Sequence, residues 1–184
     1  MRVITGTARG RCLKELSGME TRPTTGKVKE SLFSIIQFDI EGRRILDLFA
    51  GTGQLGIEAL SRGAAECVFV DQRRDAVALI RDNLEICQLS DRARVRQGDS
   101  IAYLQSGEKF DIIFLDPPYA SGLLQRAISE ITKFDICRSH GIIVAESDAD
   151  TLLPPVEAPY SLYREYRYGK IKLTVYHRGG NESE

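Results

Sequence analysis

Short apolar runs alternate with segments of helical periodicity along most of the chain, and this alternation constrains the fold more than any other feature. The runs with strand character span residues 45–49, 67–70, 93–96, 111–115 and 142–145. The segments with helical spacing lie between them, at residues 54–61, 74–85, 100–104 and 123–134. Strands that alternate with helices form parallel sheets with right-handed crossovers. The sequence therefore predicts an α/β fold with a doubly wound, mostly parallel sheet.

The N-terminal part departs from this alternation. Residues 2–5 and 12–16 have strand character and are joined by the glycine- and arginine-rich segment 6–11, which predicts a small β-hairpin arm. The apolar residues between positions 28 and 36 then have helical spacing, and Thr25 is a suitable N-cap for that helix.

The C-terminal part also changes character. Residues 161–167 and 171–177 flank a turn at Gly169 and predict an antiparallel hairpin, which brings the sheet to seven strands. The polar residues at the very end are expected to fray. We therefore divide the chain into an N-terminal β-hairpin arm, residues 1–24, and an α/β domain, residues 25–184.

Length and composition limit the class of protein. The chain has 184 residues, 42% of them apolar and 28% charged, which is typical of a soluble domain. No run of about eighteen apolar residues occurs and no apolar segment follows the N-terminal charges, so we expect no membrane span, no secretory signal and a cytoplasmic location. The cysteines, at positions 12, 67, 87 and 137, lack metal-ligand spacing, so we expect no metal site.

Charge is distributed unevenly along the chain. Residues 1–29 carry seven lysines and arginines against two acidic residues, a net charge of +5. The remaining residues carry 18 basic and 24 acidic side chains, a net charge of −6. A basic arm on an acidic body favours contact with an anion such as RNA. The alternative is a solvated surface hairpin.

The first strand of the α/β domain leads into a glycine-rich loop. Gly51, Gly53 and Gly56 have the spacing of GxGxxG, which alone would favour a dinucleotide. Asp47 changes this interpretation, because a dinucleotide-binding strand usually carries an apolar residue there. A carboxylate beside the loop suits a ligand with a cationic amino group, such as S-adenosylmethionine.

Acidic residues also follow the next two strands. Asp71 closes the second strand, where a carboxylate can accept hydrogen bonds from both hydroxyls of a ribose. Asp99 follows the third strand and could contact the adenine amino group, although a helix N-cap is the alternative role. Phe49 and Ser100 are assigned to the same cofactor site. All these positions fall near the carboxyl ends of parallel strands, the edge at which such sheets bind ligands.

The fourth strand ends in Asp116-Pro117-Pro118-Tyr119, the motif in the chain that most specifically indicates a chemical function. Two prolines fix the backbone and withhold N–H donors, so the carbonyl groups of the segment can accept hydrogen bonds. Asp116 and such a carbonyl could take both N–H groups of an exocyclic amine, and Tyr119 offers a face on which an unstacked base can lie. We therefore predict a catalytic role for all four residues. The alternative is a strand-ending turn with a packed tyrosine.

On these residues the chain resembles the RsmD-type 16S ribosomal RNA guanine-N2 methyltransferases, which have the class I, Rossmann-like fold. The resemblance runs nearly end to end, through residues 1–4, 10–11, Arg22-Pro23-Thr24, 29–33, 46–53, 58–64, 83 and 115–119. Thr52 and Gln54 replace an expected serine and alanine, and Asp71 stands where glutamate is more usual.

The resemblance implies roles for particular positions. Asp47, Gly51 and Gly53 would hold the methionine end of S-adenosylmethionine, Asp71 its ribose and Asp99 its adenine. Asp116, Pro117 and Tyr119 would hold the target guanine. The residues implied to contact RNA in the small ribosomal subunit are Arg9, Arg11, Arg22, Thr24 and Lys29. Residues 25–184 would form the S-adenosylmethionine-dependent domain, and a monomer is expected.

Other functions remain open at this stage. A DNA adenine-N6 methyltransferase would use the same tetrapeptide, but the chain leaves little room for a target-recognition domain. Another RNA or a protein amide is a further possible substrate. An NAD-dependent oxidoreductase would need a substrate domain, and a non-catalytic RNA-binding module would not need an intact Asp116, Tyr119 and glycine loop.

Overall fold

The computed structural model describes residues 1–16 and 26–180. The helices are α1 (Gly26–Ile35), α2 (Gln54–Ser61), α3 (Arg74–Cys87), α4 (Ser100–Tyr103) and α5 (Leu123–Phe134). The strands are β1 (Arg44–Leu48), β2 (Glu66–Asp71), β3 (Ala93–Gln97), β4 (Phe110–Leu115), β5 (Cys137–Asp148), β6 (Tyr160–Tyr168) and β7 (Ile171–Arg178). Within this part of the chain, no helix combines the length and apolar character that crossing a bilayer requires.

The strands form one seven-stranded sheet in the order β3-β2-β1-β4-β5-β7-β6. Strands β1 to β5 are parallel, whereas β7 runs antiparallel to β5 and β6 runs antiparallel to β7. The order reverses at β1, which pairs with β2 on one side and with β4 on the other. Such a reversal opens a crevice at the carboxyl ends of the strands. The predicted doubly wound sheet with an antiparallel C-terminal hairpin is confirmed.

The central strands are buried on both faces because helices cover each side of the sheet. Side chains of β1 alternate between two hydrophobic clusters: Ile45 joins one, with α1, α2 and α3, while Leu46 and Leu48 join the other, with α4 and α5. Because successive side chains of a strand point to opposite faces, Asp47 lies on the face that α2 covers. This alternation decides which helix can contact the carboxylate.

β5 is longer than the apolar run that predicted it. The run covers residues 142–145, but pairing with β7 continues to Asp148, opposite Ile171. The strand therefore includes Glu146, a buried acidic residue that the apolar pattern alone did not place in the sheet. Cross-strand pairing, which periodicity cannot detect, extends the strand.

The N-terminal segment differs in detail from the predicted hairpin. Residues 2–5 and 12–16 approach each other in antiparallel fashion, but they form a single bridge, between Arg2 and Cys12, rather than regular strands. The segment also lies against the body of the protein, because Val3, Ala8 and Leu13 are buried in the same cluster as α1, α2 and α3. These buried side chains hold the segment in place, where backbone pairing alone would be weak.

A buried ion cluster completes this attachment. Glu58 accepts hydrogen bonds from the backbone N–H groups of Ile4 (2.8 Å) and Thr5 (2.9 Å) and pairs with Arg62 (2.9 Å) and Lys29 (3.0 Å). Burial opposes its ionisation, but these partners together hold the pKa of Glu58 below its ordinary value. Lys29 is only 2% exposed. The prediction that Lys29 contacts RNA is therefore wrong, because its ammonium group is buried against Glu58.

Candidate active site

The predicted cofactor and catalytic residues meet in a cleft of about 600 Å³ at the carboxyl edge of β1 to β4. All of them except Gly53 line it: Asp47, Phe49, Gly51, Asp71, Asp99, Ser100, Asp116, Pro117, Pro118 and Tyr119. The cleft lies where the strand order reverses, as expected for a ligand site in an open α/β sheet.

The loop between β1 and α2 turns sharply into the cleft. Phe49 has a positive φ of 66°, which is unusual for a bulky residue and indicates a locally strained backbone. A Cβ atom added at Gly51 would meet no other atom within 4 Å, so the backbone there borders open space that a ligand can approach. Gly53 has a different role: it caps α2 with a φ of 78°, and an added Cβ would lie 3.3 Å from Ile80.

Asp47 is 2% exposed and accepts a hydrogen bond from the backbone N–H of Gly56 at 2.9 Å. Gly56 is required at that place, because an added Cβ would lie 2.3 Å from the ring of Phe69. Burial and, to a smaller extent, the nearby charge of Asp71 raise the pKa of Asp47 from 3.8 to about 7, although the hydrogen bond from Gly56 lowers it. A buried carboxylate with one hydrogen bond is costly to ionise, and a cationic ligand group would relieve that cost.

Asp71 connects the loops that follow β1 and β2. One carboxylate oxygen accepts the backbone N–H of Gly51 (2.9 Å) and the other accepts that of Arg73 (2.9 Å). Each carboxylate oxygen has two lone pairs, so Asp71 can accept further donors from the cleft, such as hydroxyl groups. The geometry is compatible with the predicted contact to a ribose.

Asp99 caps α4, since its carboxylate accepts the backbone N–H of Ala102 at 2.7 Å. The alternative role of an N-cap is therefore confirmed, and Asp99 lines the cleft as well. Ser100, which is buried, follows it along the same wall. The two roles are compatible, because a carboxylate that caps a helix through one oxygen keeps acceptor capacity on the other.

The tetrapeptide after β4 also lines the cleft, next to the glycine loop because β4 pairs with β1. The hydroxyl of Tyr119 donates a hydrogen bond of 3.0 Å to Glu146 at the end of β5. Burial raises the pKa of Tyr119, and the adjacent charge of Glu146 raises it further, so the phenol stays protonated and remains a donor. Sequence reasoning missed Glu146, although an acidic residue that follows a buried strand run is the pattern by which Asp71 was found.

The cleft also contains a buried polar atom at Gln54, one of the positions where the sequence departs from the family pattern. The side-chain oxygen of Gln54 is buried and has no hydrogen-bond partner within the described residues. Gln54 lines the cleft beside Gly51. An unsatisfied buried acceptor is costly, and a ligand with a donor would satisfy it. Together with the carboxylates and the open backbone at Gly51, it fits a cofactor that carries an amino group and hydroxyl groups.

The N-terminal segment reaches the same cleft. Met1, Glu15 and Leu16 contribute to its lining, and the terminal amino group pairs with Glu15 at 2.7 Å. Sequence reasoning missed these residues, because only the packing of the segment against α2 and α3 brings them near. Asn83 of α3 helps to hold it, accepting the N–H of Lys14 at 2.8 Å.

The described residues include only some of the predicted RNA contacts. Arg9 and Arg11 are exposed on the N-terminal segment and stay predictions. Arg22 and Thr24 lie outside the described residues.

Comparisons with known proteins agree with this geometry. A protein-family model described as "Conserved hypothetical protein 95" matches residues 1–177. "Putative rRNA methyltransferase YlbH" of Bacillus subtilis is 41% identical, covering 98% of this chain and 100% of the relative. "Ribosomal RNA small subunit methyltransferase D" of Escherichia coli is 35% identical, covering 97% and 90%. The chain belongs to the RsmD-type methyltransferase family.

Solved structures give the same result for the fold. "Putative methyltransferase yhhF from Escherichia coli" superimposes with a TM-score of 0.88 at 35% identity, covering 98% of this chain and 99% of that one. Solved methyltransferase structures of much lower identity share the fold. The predicted family and the class I methyltransferase fold are both confirmed.

Proposed function

We propose that this protein transfers a methyl group from S-adenosylmethionine to the exocyclic N2 of a guanine in 16S rRNA of the small ribosomal subunit. One observation carries the proposal: the three strand-end carboxylates and the Asp116–Tyr119 segment line a single cleft, so cofactor groups and target base can meet there. The names of the relatives support ribosomal RNA as the substrate class.

Different residues of the cleft would bind different groups of the cofactor. Asp47 would pair with the amino group, Asp71 would accept from the ribose, and Asp99 would accept from the adenine amine. Gln54 would accept one further donor through the side-chain oxygen that has no partner among the residues described. When bound, the cofactor supplies an electrophilic methyl group on its sulfonium sulfur, which becomes a neutral thioether once the methyl group is transferred.

The tetrapeptide would hold the nucleophile. Asp116 and the carbonyl of Pro117 accept the two N–H groups of the exocyclic amine, which orients its lone pair toward the cofactor side of the cleft. Tyr119 stacks against the base, which contributes about 1–3 kcal/mol to its binding. No strong general base is needed, and alignment of the reacting atoms can lower the barrier by as much as about 7–11 kcal/mol.

The N-terminal segment would contact the RNA backbone. Arg9 and Arg11 are exposed on a segment that also borders the cleft, so phosphate contacts there would place the target base near Tyr119. We keep residues 1–24 as this RNA-contacting arm and residues 25–184 as the catalytic domain. We also propose that the protein acts as a monomer in the cytoplasm, where assembled small subunits are found.

The test is transfer of a labelled methyl group, with nucleosides identified after hydrolysis. Unmethylated small subunits, naked 16S rRNA and duplex DNA serve as substrates, each with the wild type and with Asp116→Asn. We expect label as N2-methylguanosine on the subunits and its loss in the variant, with binding of S-adenosylhomocysteine retained. Label as N6-methyladenine in DNA would instead establish the alternative substrate, and no label on any substrate would refute the proposal.

Arg9 and Arg11 provide a separate test of the arm. Replacing both with glutamate should weaken binding to the subunit and reduce its dependence on salt, because fewer phosphate contacts release fewer counterions. Unchanged binding and unchanged salt dependence would remove the arm from the RNA-contacting surface.

A further inference from the structure

Glu146 lies next to the catalytic tetrapeptide and has no role in the methyl transfer proposed above. It is 3% exposed. In the pairing of β4 with β5, Leu115 lies opposite Ala145, so Asp116, which directly follows β4, and Glu146 of β5 come next after this last pair. Adjacent strands are about 4.8 Å apart, so two residues that carry carboxyl groups lie next to each other along the backbone at this edge of the sheet.

A second, small pocket of about 80 Å³ shares part of its lining with the cleft. Glu146 lines this pocket together with Pro117, Pro118 and Tyr119, and the same three residues line the large cleft. The hydrogen bond from Tyr119 fixes one carboxylate oxygen of Glu146 at 3.0 Å from the phenol. The carboxylate is therefore held beside the ring on which the target base would stack.

The chemistry of the purines distinguishes what such a pair of carboxylates can bind. Guanine presents two neighbouring donor groups on its Watson–Crick edge, the N2 amine and N1–H. Adenine presents its amine next to N1, which is an acceptor. An ionised carboxylate only accepts hydrogen bonds, and with about four acceptor positions it can accept from more than one donor at a time. A second carboxylate beside Asp116 thus matches guanine and opposes adenine.

We propose that Glu146 accepts the N1–H of the target base while Asp116 accepts from its N2 amine, so that Glu146 selects guanine over adenine. This inference rests on the proposed function and adds to it the residue that determines the base. Enzymes that act on an extruded base read it by hydrogen bonds to its Watson–Crick edge, and a mismatched donor or acceptor in a buried site is strongly disfavoured.

The test compares two target bases and two enzymes. Small subunits are reconstituted with 16S rRNA carrying either guanosine or 2-aminopurine riboside at the mapped target position. 2-Aminopurine keeps the N2 amine but lacks N1–H. The measured quantity is the ratio of kcat/KM for the two bases, so differences in the intrinsic reactivity of the amines cancel when wild type and Glu146→Gln are compared.

We expect Glu146→Gln to lower this guanosine preference by about tenfold to a hundredfold, because a carboxamide can donate to an unprotonated N1. The exposed Glu85 on α3 provides the matched control, and Glu85→Gln should keep the ratio of the wild type. Tyr119→Phe should slow transfer to both bases alike. An unchanged ratio in Glu146→Gln, with or without slower turnover, would overturn the proposal, since Glu146 would then act only through Tyr119 or the fold.

A measurement on the wild type does not depend on how the variant folds. A 1-methylguanosine target has no N1–H and places a methyl group against the carboxylate, so we expect it not to be methylated. Methylation of that base as fast as guanosine would overturn the assignment of Glu146. No label on guanosine with the wild type would overturn the proposed function itself, and this inference with it.

Discussion

Asp47→Asn should stabilise the cofactor-free protein while weakening cofactor binding. The substitution is nearly isosteric, and the amide oxygen can still accept the N–H of Gly56, which is the hydrogen bond that Asp47 makes at 2.9 Å. What changes is the charge. Burial raises the pKa of Asp47 from 3.8 to about 7, so ionising this group costs more in the folded protein than in the unfolded chain.

The size and the sign of the effect follow from that difference. The difference between a pKa of 3.8 and one of about 7 corresponds to a cost of about 4 kcal/mol, because a tenfold change in an equilibrium constant is worth about 1.4 kcal/mol. Below about pH 4 the group is protonated in both states and costs nothing. As the pH rises, the unfolded chain loses its proton first, so the folded state becomes progressively less stable until about pH 7, above which the cost is constant.

The assay is urea denaturation without cofactor at several pH values between about 4 and 8. We expect the free energy of unfolding of Asp47→Asn minus that of the wild type to grow by about 2–4 kcal/mol across this range. Asp150, a fully exposed carboxylate, provides the control, and Asp150→Asn should show no comparable trend. A difference that does not vary with pH would refute the argument from burial.

Binding of S-adenosylhomocysteine completes this prediction. Affinity for the wild type should rise with pH up to about 7, because the ionised carboxylate is the form that pairs with a cationic amino group. In Asp47→Asn, binding should be weaker and should not follow this titration. Equal affinity in both proteins, measured by calorimetry, would remove Asp47 from the cofactor site.

Three further substitutions test other parts of the structure. Gly56→Ala should destabilise the protein by about 1–3 kcal/mol in urea denaturation, because the added methyl group would overlap Phe69. A variant as stable as the wild type would contradict this close contact. Glu58→Gln should lower the free energy of unfolding by about 3–5 kcal/mol, since it leaves the charge of Lys29 buried without its carboxylate partner. An accompanying increase in proteolysis near the N-terminus would show that the N-terminal segment is released. Unchanged stability would contradict the buried ion pair. Tyr119→Phe should leave cofactor binding unchanged and reduce the rate of methyl transfer by about tenfold, as expected for the loss of one positioning hydrogen bond. A larger loss of cofactor affinity than of kcat would contradict the placement of Tyr119 on the substrate side of the cleft.

Most of the architecture could be predicted from the sequence because it depends on local patterns. Apolar runs that alternate with helical periodicity indicated the parallel sheet, and the turn at Gly169 indicated the C-terminal hairpin. Asp71, Asp99 and Asp116 were found as candidates because each follows a strand, and the ends of parallel strands meet at one edge. Gly51 and Gly53 were both assigned to the cofactor, but only Gly51 borders the cleft, and Gly53 packs against Ile80.

The sequence by itself determined the order of the elements, the edge of the sheet at which a ligand binds and the identity of the chemical groups there, because these follow from short-range periodicity and from the residues that end each strand. Only the tertiary structure decided which charges face solvent and which are buried. Lys29 belongs to a basic stretch and reads as a surface residue, yet packing against Glu58 removes it from solvent. Glu146 follows an apolar run, and the sequence pattern predicts no role for it, yet the pairing of β4 with β5 places it beside Asp116. Both outcomes depend on contacts between residues far apart in the chain, and the energy of a charge depends on that surrounding rather than on its neighbours in sequence.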